Sequence, residues 1–327
     1  MRKLFKVLKN IFIMLIAVIL LILVSVFIYH NYQLSKESDL IKSKGTIVKI
    51  NNKKMNVYSE GNGKDTYVFM AGSGIAAPVY EMKGVYSKFS KENKIAVVER
   101  AGYGNSDVFN DGRDIDTILE QTREALIKSG NKPPYILVPH SISGIEAIYW
   151  AQKYPEEIEG IIALDIGLPQ QYVKYKSEVD KSTVKIRGMN IFTEMGIHRL
   201  LPSTTYNPEV IRQSFLTKHE KEIYKAISYK QFFNVDMKQE LLHSYENSKK
   251  SVNLPIPKET PILFLDAVAD QNKNSKYTKQ HYKDYKEFAE QLEIADVIKL
   301  RGTHSIYLYQ ADEIYKLSKE FINKKVK

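Results

Sequence analysis

At 327 residues the chain exceeds a typical single domain, and its 43% apolar and 26% charged content is that of a globular protein, which excludes an intrinsically disordered chain. The formal charge of +10 begins with Arg2, Lys3, Lys6 and Lys9; beyond them lysine is mixed with Asp and Glu and forms no long basic block, so nucleic acid is not indicated as a partner. No cysteine is present, which excludes disulfides, thiolate metal sites and a cysteine nucleophile and leaves the compartment open.

Residues 1–10 form a basic segment. Ile11 to Tyr29 follows without a charge, and as a helix it would be about 28 Å long, close to the hydrocarbon thickness of a bilayer. The basic flank places the N-terminus in the cytoplasm and the rest of the chain outside the cell membrane. The stretch SVFIYHNYQ offers no small-x-small cleavage site, so residues 11–29 are expected to act as an uncleaved signal anchor rather than a signal peptide. Residues 30–44 are polar and unpatterned, and are expected to form a stalk.

From Thr46 strand signals begin: TIVKI, MNVYSEG and TYVFMAG, separated by NNKK and NGKD turn clusters. Pro78 to Lys91 reads as a helix with proline in its first turn, and Ile95 to Glu99 as a buried strand followed by the glycine-rich loop RAGYGNSD. Asp114 to Ser129 is an amphipathic helix with Asp114 as cap and Gly130 as stop. Tyr135 to Val138 and Ile161 to Leu164 are further strands, and their alternation with helices predicts a parallel sheet covered on both faces. Between 167 and 257 the alternation stops and helical patterns with no strand suggest an inserted lid. It then resumes with strands at Ile262 to Leu265 and Val297 to Leu300, and helices at Ser275 to Leu292 and Ala311 to Asn323. The fold class is therefore α/β, a mostly parallel doubly wound sheet with a helical lid, behind one transmembrane helix; the globular domain occupies 45–327.

The period changes from strand to helix at Pro139-His140-Ser141-Ile142-Ser143-Gly144. Ser141 falls on a sharp strand-to-helix turn, which would expose its hydroxyl and aim the first free N–H groups of the helix at its target. A helix N-cap is the bland alternative for such a serine. Sites in doubly wound sheets lie beyond the carboxyl ends of the strands. There stand Gly72, Ser73 and Gly74, then Ser141, then Asp266 and Asp270, then His304: a serine, an acid and a histidine in order.

These motifs resemble those of the α/β-hydrolase superfamily over about residues 45–327. AGSG at 71–74 is similar to its HG-x oxyanion loop, with Ala71 for His. ERAGYGNSD at 99–107 is similar to D-x-x-G-x-G-x-S, with Glu99 for Asp. PHSISG at 139–144 is similar to the G-H-S-x-G-G elbow, with Pro139 and Ser143 for two glycines. PILFLDAVAD at 261–270 resembles P-x-L-x-x-x-G-x-x-D, with Ala267 for Gly, and RGTHS at 301–305 the segment that ends in the catalytic histidine. The resemblance implies Ser141 as nucleophile, His304 as general base, Asp270 as acid in preference to Asp266, and an oxyanion hole from the backbone N–H groups of Ile142 and Ser73. Asp165, ending the strand before the lid, is expected to be structural, although some members of the superfamily place the acid there. His140 is expected to support packing, and His198, His219 and His243 lack metal-ligand spacing.

The function implied is a membrane-anchored serine hydrolase of a small-molecule carboxylic ester or acyl substrate, with no metal and no organic cofactor. A serine at the elbow argues against the epoxide hydrolases and haloalkane dehalogenases of the superfamily, which use Asp. Three alternatives remain. One is a proline-iminopeptidase-like aminopeptidase using lid carboxylates among Glu194, Glu209, Glu220 and Glu222; another is an acyltransferase; the last is a binding protein on an inactive hydrolase scaffold.

Overall fold

The apolar runs become the strands of one sheet in a computed structural model that describes residues 2–187 and 189–325. The strands are β1 (Thr46–Ile50), β2 (Lys53–Glu60), β3 (Thr66–Met70), β4 (Lys94–Glu99), β5 (Tyr135–Pro139), β6 (Ile158–Leu164), β7 (Ile262–Val268) and β8 (Ala295–Arg301). Their order across the sheet is β1-β2-β4-β3-β5-β6-β7-β8. β1, β2 and β4 pair antiparallel, and every pairing from β4 to β8 through β3, β5, β6 and β7 is parallel. Each strand expected from the sequence is present.

Successive residues of a strand point to opposite faces, and β3 is apolar on both. Phe69 joins Phe89 and Phe321 on one side, whereas Val68 and Met70 join Leu119, Ile148 and Phe288 on the other. The helices α1 (Arg2–Ser38), α2 (Pro78–Glu81), α3 (Lys83–Phe89), α4 (Ile115–Lys128) and α5 (Ser143–Lys153) precede the lid. Asp114 caps α4 as expected, its carboxylate accepting from the Asp116 N–H. The single helix expected over 78–91 is broken at Met82 into α2 and α3.

The lid holds α6 (Pro169–Lys174), α7 (Lys176–Arg187), α8 (Met189–Glu194), α9 (Pro202–Thr205), α10 (Pro208–Arg212), α11 (Lys218–Gln231), α12 (Val235–Leu242) and α13 (Ser244–Val252), with no strand among the described residues. After β7 and β8 come α14 (Lys276–Ala289) and α15 (Ala311–Lys325). Trp150, fully buried on α5, packs edge-on to Tyr135 and donates to Glu157. Its truncation to alanine is expected to cost about 3–5 kcal/mol.

The segment 30–44 is not a loose stalk. α1 continues through Ser38, because residues 30–38 contain neither Gly nor Pro and their outer turns are held by the lid. Leu40 and Ile41 then pack against the core, and Lys44 pairs with Glu220. α1 is long and apolar enough to cross a membrane, and its apolar window is fully exposed in the folded chain.

Candidate active site

β5 ends at Pro139, where a missing N–H is tolerated because the ladder stops, and α5 begins two residues after Ser141. Between them Ser141 takes φ +57°, a left-handed conformation that a residue with a Cβ adopts only where its surroundings enforce it. Ser143, standing where the superfamily has glycine, clips this turn shut. Its hydroxyl accepts from the His140 N–H at 2.9 Å and lies 2.8 Å from the carbonyls of Met70 and His140, to which it donates. Gly144 cannot be replaced as easily, since a Cβ there would meet Ile166 at 2.6 Å.

The loop after β3 is pressed against this elbow. A Cβ on Gly72 would come within 2.7 Å of His140 Nδ1 and 2.9 Å of the Ser141 Cβ, so only glycine lets the two loops touch. Ser73 is the next residue of that loop. The N–H of Ile142 precedes the hydrogen-bonded ladder of α5 and has no intrahelical acceptor. The loop is fixed from behind by Arg100, which is buried and donates to the Ala71 carbonyl at 2.8 Å. The same guanidinium grips Glu240 of the lid with two bonds of 3.1 and 3.0 Å, and Tyr103 adds a third to that carboxylate at 2.7 Å. The lid and the loop after β3 are thus joined through one buried guanidinium. Burial favours a neutral Glu240, but the two arginines around it hold its carboxyl below the usual value.

Glu99, standing for the superfamily's Asp, accepts from Asn56 and from the Asn105 N–H. The longer side chain has room only because position 104 is glycine at φ +55°, where a Cβ would fall within 2.0 Å of the carboxylate.

His304 lies on the loop after β8, and its Nδ1 is 2.6 Å from Asp165 Oδ2. Asp270 does not reach it. Asp270 is exposed at the end of the β7 loop and is paired with Arg301, which holds it on the surface. The expectation that Asp270 orients the histidine is corrected accordingly: the carboxylate on His304 comes from the end of β6. Asp165 sits at φ +46°, and its Oδ1 accepts the Ala267 N–H at 2.9 Å, which turns Oδ2 toward His304. His140 is buried, pairs its Nε2 with the His304 carbonyl at 2.9 Å and stacks obliquely on that ring at 4.6 Å. Burial, aided by His304, pulls its pKa down to about 3, so it is a neutral donor that steadies the loop.

Behind Asp165 lies a feature the sequence did not signal. Asp266, fully buried on β7, contacts His281 Nδ1 at 2.9 Å through Oδ1, while its Oδ2 has no partner. Asp165, Asp266 and His281 offer ligand atoms within 4.8 Å of one another, a donor set suited to a divalent cation. Most of those atoms are already engaged: both oxygens of Asp165 are hydrogen-bonded, and Asp266 Oδ1 is paired with His281.

Of the four candidate lid carboxylates, Glu194 lines a cleft between the lid and α1, and the other three lie elsewhere. Glu220 is held by Lys44 and Lys83, Glu209 by Tyr309 and Arg212, and Glu222 lies 4.0 Å from His219. His198 is packed within the lid against Tyr229 and Phe232.

A mostly parallel sheet in this order, with a strained serine at the β5–α5 turn and a histidine beyond the last strand, is the architecture of the α/β-hydrolase fold, and the chain has that fold. The protein YbdG of Bacillus subtilis (strain 168) is 70% identical over 325 residues, covering 99% of each chain. YqjL of the same organism is 30% identical over 111 residues, 34% of this chain and 43% of that protein. No protein-family model matches the chain. Among solved structures, an epoxide hydrolase from Vigna radiata superposes with a TM-score of 0.65 at 18% identity, over 88% of this chain and 99% of that one. An enol-lactonase from Burkholderia xenovorans LB400 gives 0.57 at 14% identity, over 85% and 100%. These two likenesses establish the fold and leave the chemistry to the residues.

Proposed function

We propose that this protein is a membrane-anchored serine hydrolase that cleaves a carboxylic ester of a small or acyl-chain substrate through an acyl-enzyme on Ser141. The observation that supports this most directly is the 2.6 Å contact of His304 with Asp165, on a loop that His140 ties back to the strained turn of Ser141. With Nδ1 on the carboxylate, Nε2 of His304 is the nitrogen free to take the Ser141 proton. Asp165, in place of Asp270, fixes the tautomer and stabilises the imidazolium.

As the hydroxyl oxygen attacks the carbonyl carbon, the oxyanion settles on the N–H groups of Ile142 and Ser73. Loss of one such donor typically lowers turnover about 10²- to 10³-fold. His304 then protonates the departing alcohol, and a water activated by the same imidazole releases the acid. The ester is favoured over an aminoacyl amide because two of the four lid carboxylates that could hold an amine, Glu220 and Glu209, are engaged by lysine, arginine and tyrosine. The inactive-scaffold alternative loses support too, since Ser143 fits the elbow by hydrogen bonding and Pro139 by its place at the strand end.

The test is fluorophosphonate labelling of the full chain in detergent, beside Ser141→Ala. Covalent labelling that disappears in the variant is expected; a folded wild-type protein that never labels would overturn the proposal. The run 11–29 and its basic flank support a domain outside the cell membrane, so external protease should digest it in intact cells, and protection would refute that orientation.

A further inference from the structure

We infer that the lid rests in the headgroup layer of the bilayer that α1 crosses, with Leu200 and Leu201 as its lipid-facing side chains. The inference rests on the anchor proposed above and extends it to a second surface.

Along α1 the side chains up to Tyr29 are overwhelmingly exposed, and burial begins abruptly at His30. His30 is covered by the lid turn at Ile197–Leu200 and the glycine before it. Gly196 takes φ +74° and passes so close that a Cβ would lie 2.3 Å from the His30 Cβ, and the rings of His30 and His198 are 5.0 Å apart. Arg199 completes the joint. Its Nε donates to His30 Nδ1 at 2.8 Å, and its two terminal nitrogens donate to Glu37 at 2.9 and 2.6 Å, with the guanidinium over the Tyr229 ring.

This joint fixes the depth of the lid. It begins one residue beyond the apolar run and ends at Glu37, so it spans about 10 Å of helix axis. The headgroup region on each side of the hydrocarbon is about 5–8 Å thick, so the turn carrying Leu200 and Leu201 lies within or against it. Tyr29 and Tyr32 are exposed on α1 at the same level, where amphipathic rings are enriched at membrane interfaces. A cleft between anchor and lid, lined by His30, His198, Tyr229, Phe232 and Phe233, opens at that depth.

Leu200 and Leu201 are 58% and 47% exposed, the only adjacent exposed leucines outside α1 among the described residues. Neighbouring aliphatic side chains left in water beside a membrane anchor mark a surface that lipid covers.

The experiment is tryptophan fluorescence of the full chain in vesicles containing lipids brominated at shallow or deep positions of the acyl chain. The native Trp150 is fully buried in the soluble domain and serves as the unquenched background. Leu200→Trp and, separately, Leu201→Trp are expected to show blue-shifted emission lost preferentially to the shallow quencher. Ile22→Trp, mid-anchor, is expected to lose emission preferentially to the deep one. Quenching of Ile22→Trp without quenching of either lid variant would overturn the inference and leave the anchor standing. Lid variants shielded from iodide yet unaffected by bromolipid would overturn it in favour of a second copy or another protein on this face. An unquenched Ile22→Trp would remove the anchor and the inference together.

Discussion

Two histidine–carboxylate pairs sit within a few ångströms of each other at the carboxyl edge of the sheet, and they differ in what surrounds them. In the His304–Asp165 pair the histidine side chain is 56% exposed and the acid 11%; in the His281–Asp266 pair the values are 11% and 1%. His304 has Nδ1 on Asp165 and its ring open to solvent. His281 has Nδ1 on Asp266, is held by the Ile166 backbone, and is walled by the rings of Tyr285 and Tyr277. Burial disfavours its charged form, yet the Asp266 hydrogen bond and the charge of Asp165 outweigh burial and raise its pKa. The same two residue types thus leave one ring nitrogen open in the exposed pair and favour the protonated imidazole in the buried one.

The comparison can be broken from either side, and Ser141→Ala has the largest expected effect. Ester turnover should fall about 10⁴-fold or more with unchanged melting behaviour, because the exposed pair has lost the group it activates. Asp165→Asn should lower kcat about 10³- to 10⁴-fold by presenting the wrong tautomer of His304. Retention of full activity by this variant would return the acid's role to another residue.

His281→Gln should reverse the pattern, leaving chemistry largely intact and lowering unfolding free energy by about 3 kcal/mol near pH 6, since it strands the buried Asp266 carboxylate. Because the folded pKa of His281 is raised, its contribution is fully present below the ordinary histidine value of about 6.5 and is lost as pH rises through the raised value. Urea midpoints for wild type and variant should therefore converge as pH rises through that value; a constant gap would mean His281 is not a cation. Asp270→Asn should be the mildest change, within about 0.5 kcal/mol in stability and with unaltered turnover, because it removes only an exposed pair with Arg301.

The strands were legible because each is a short apolar run between turn residues, and the elbow because the period changes around one serine. The acid was not, because motif spacing reports the loop and not the direction its carboxylate takes. Arg301, in the segment RGTHS, draws Asp270 outward, and the Ala267 N–H orients Asp165 inward. A cation three residues before the histidine was the available hint. The His281–Asp266 pair was invisible for a related reason, since β7 and α14 bring together residues whose spacing matches no motif. The helix beyond Tyr29 was obscured by polarity: Gln33, Ser35, Lys36 and Glu37 read as solvated linker, although they break no helical rule.

That unbroken helix makes α1 a ruler. With no hinge between Tyr29 and Ser38, and with Leu40, Ile41 and Lys44 held by the domain, the proposed anchor would hold the site at one height and one attitude above the bilayer. Under the proposed anchoring, a substrate that itself resides in the bilayer would be met by lateral diffusion in a plane, at a rate that scales with its surface density.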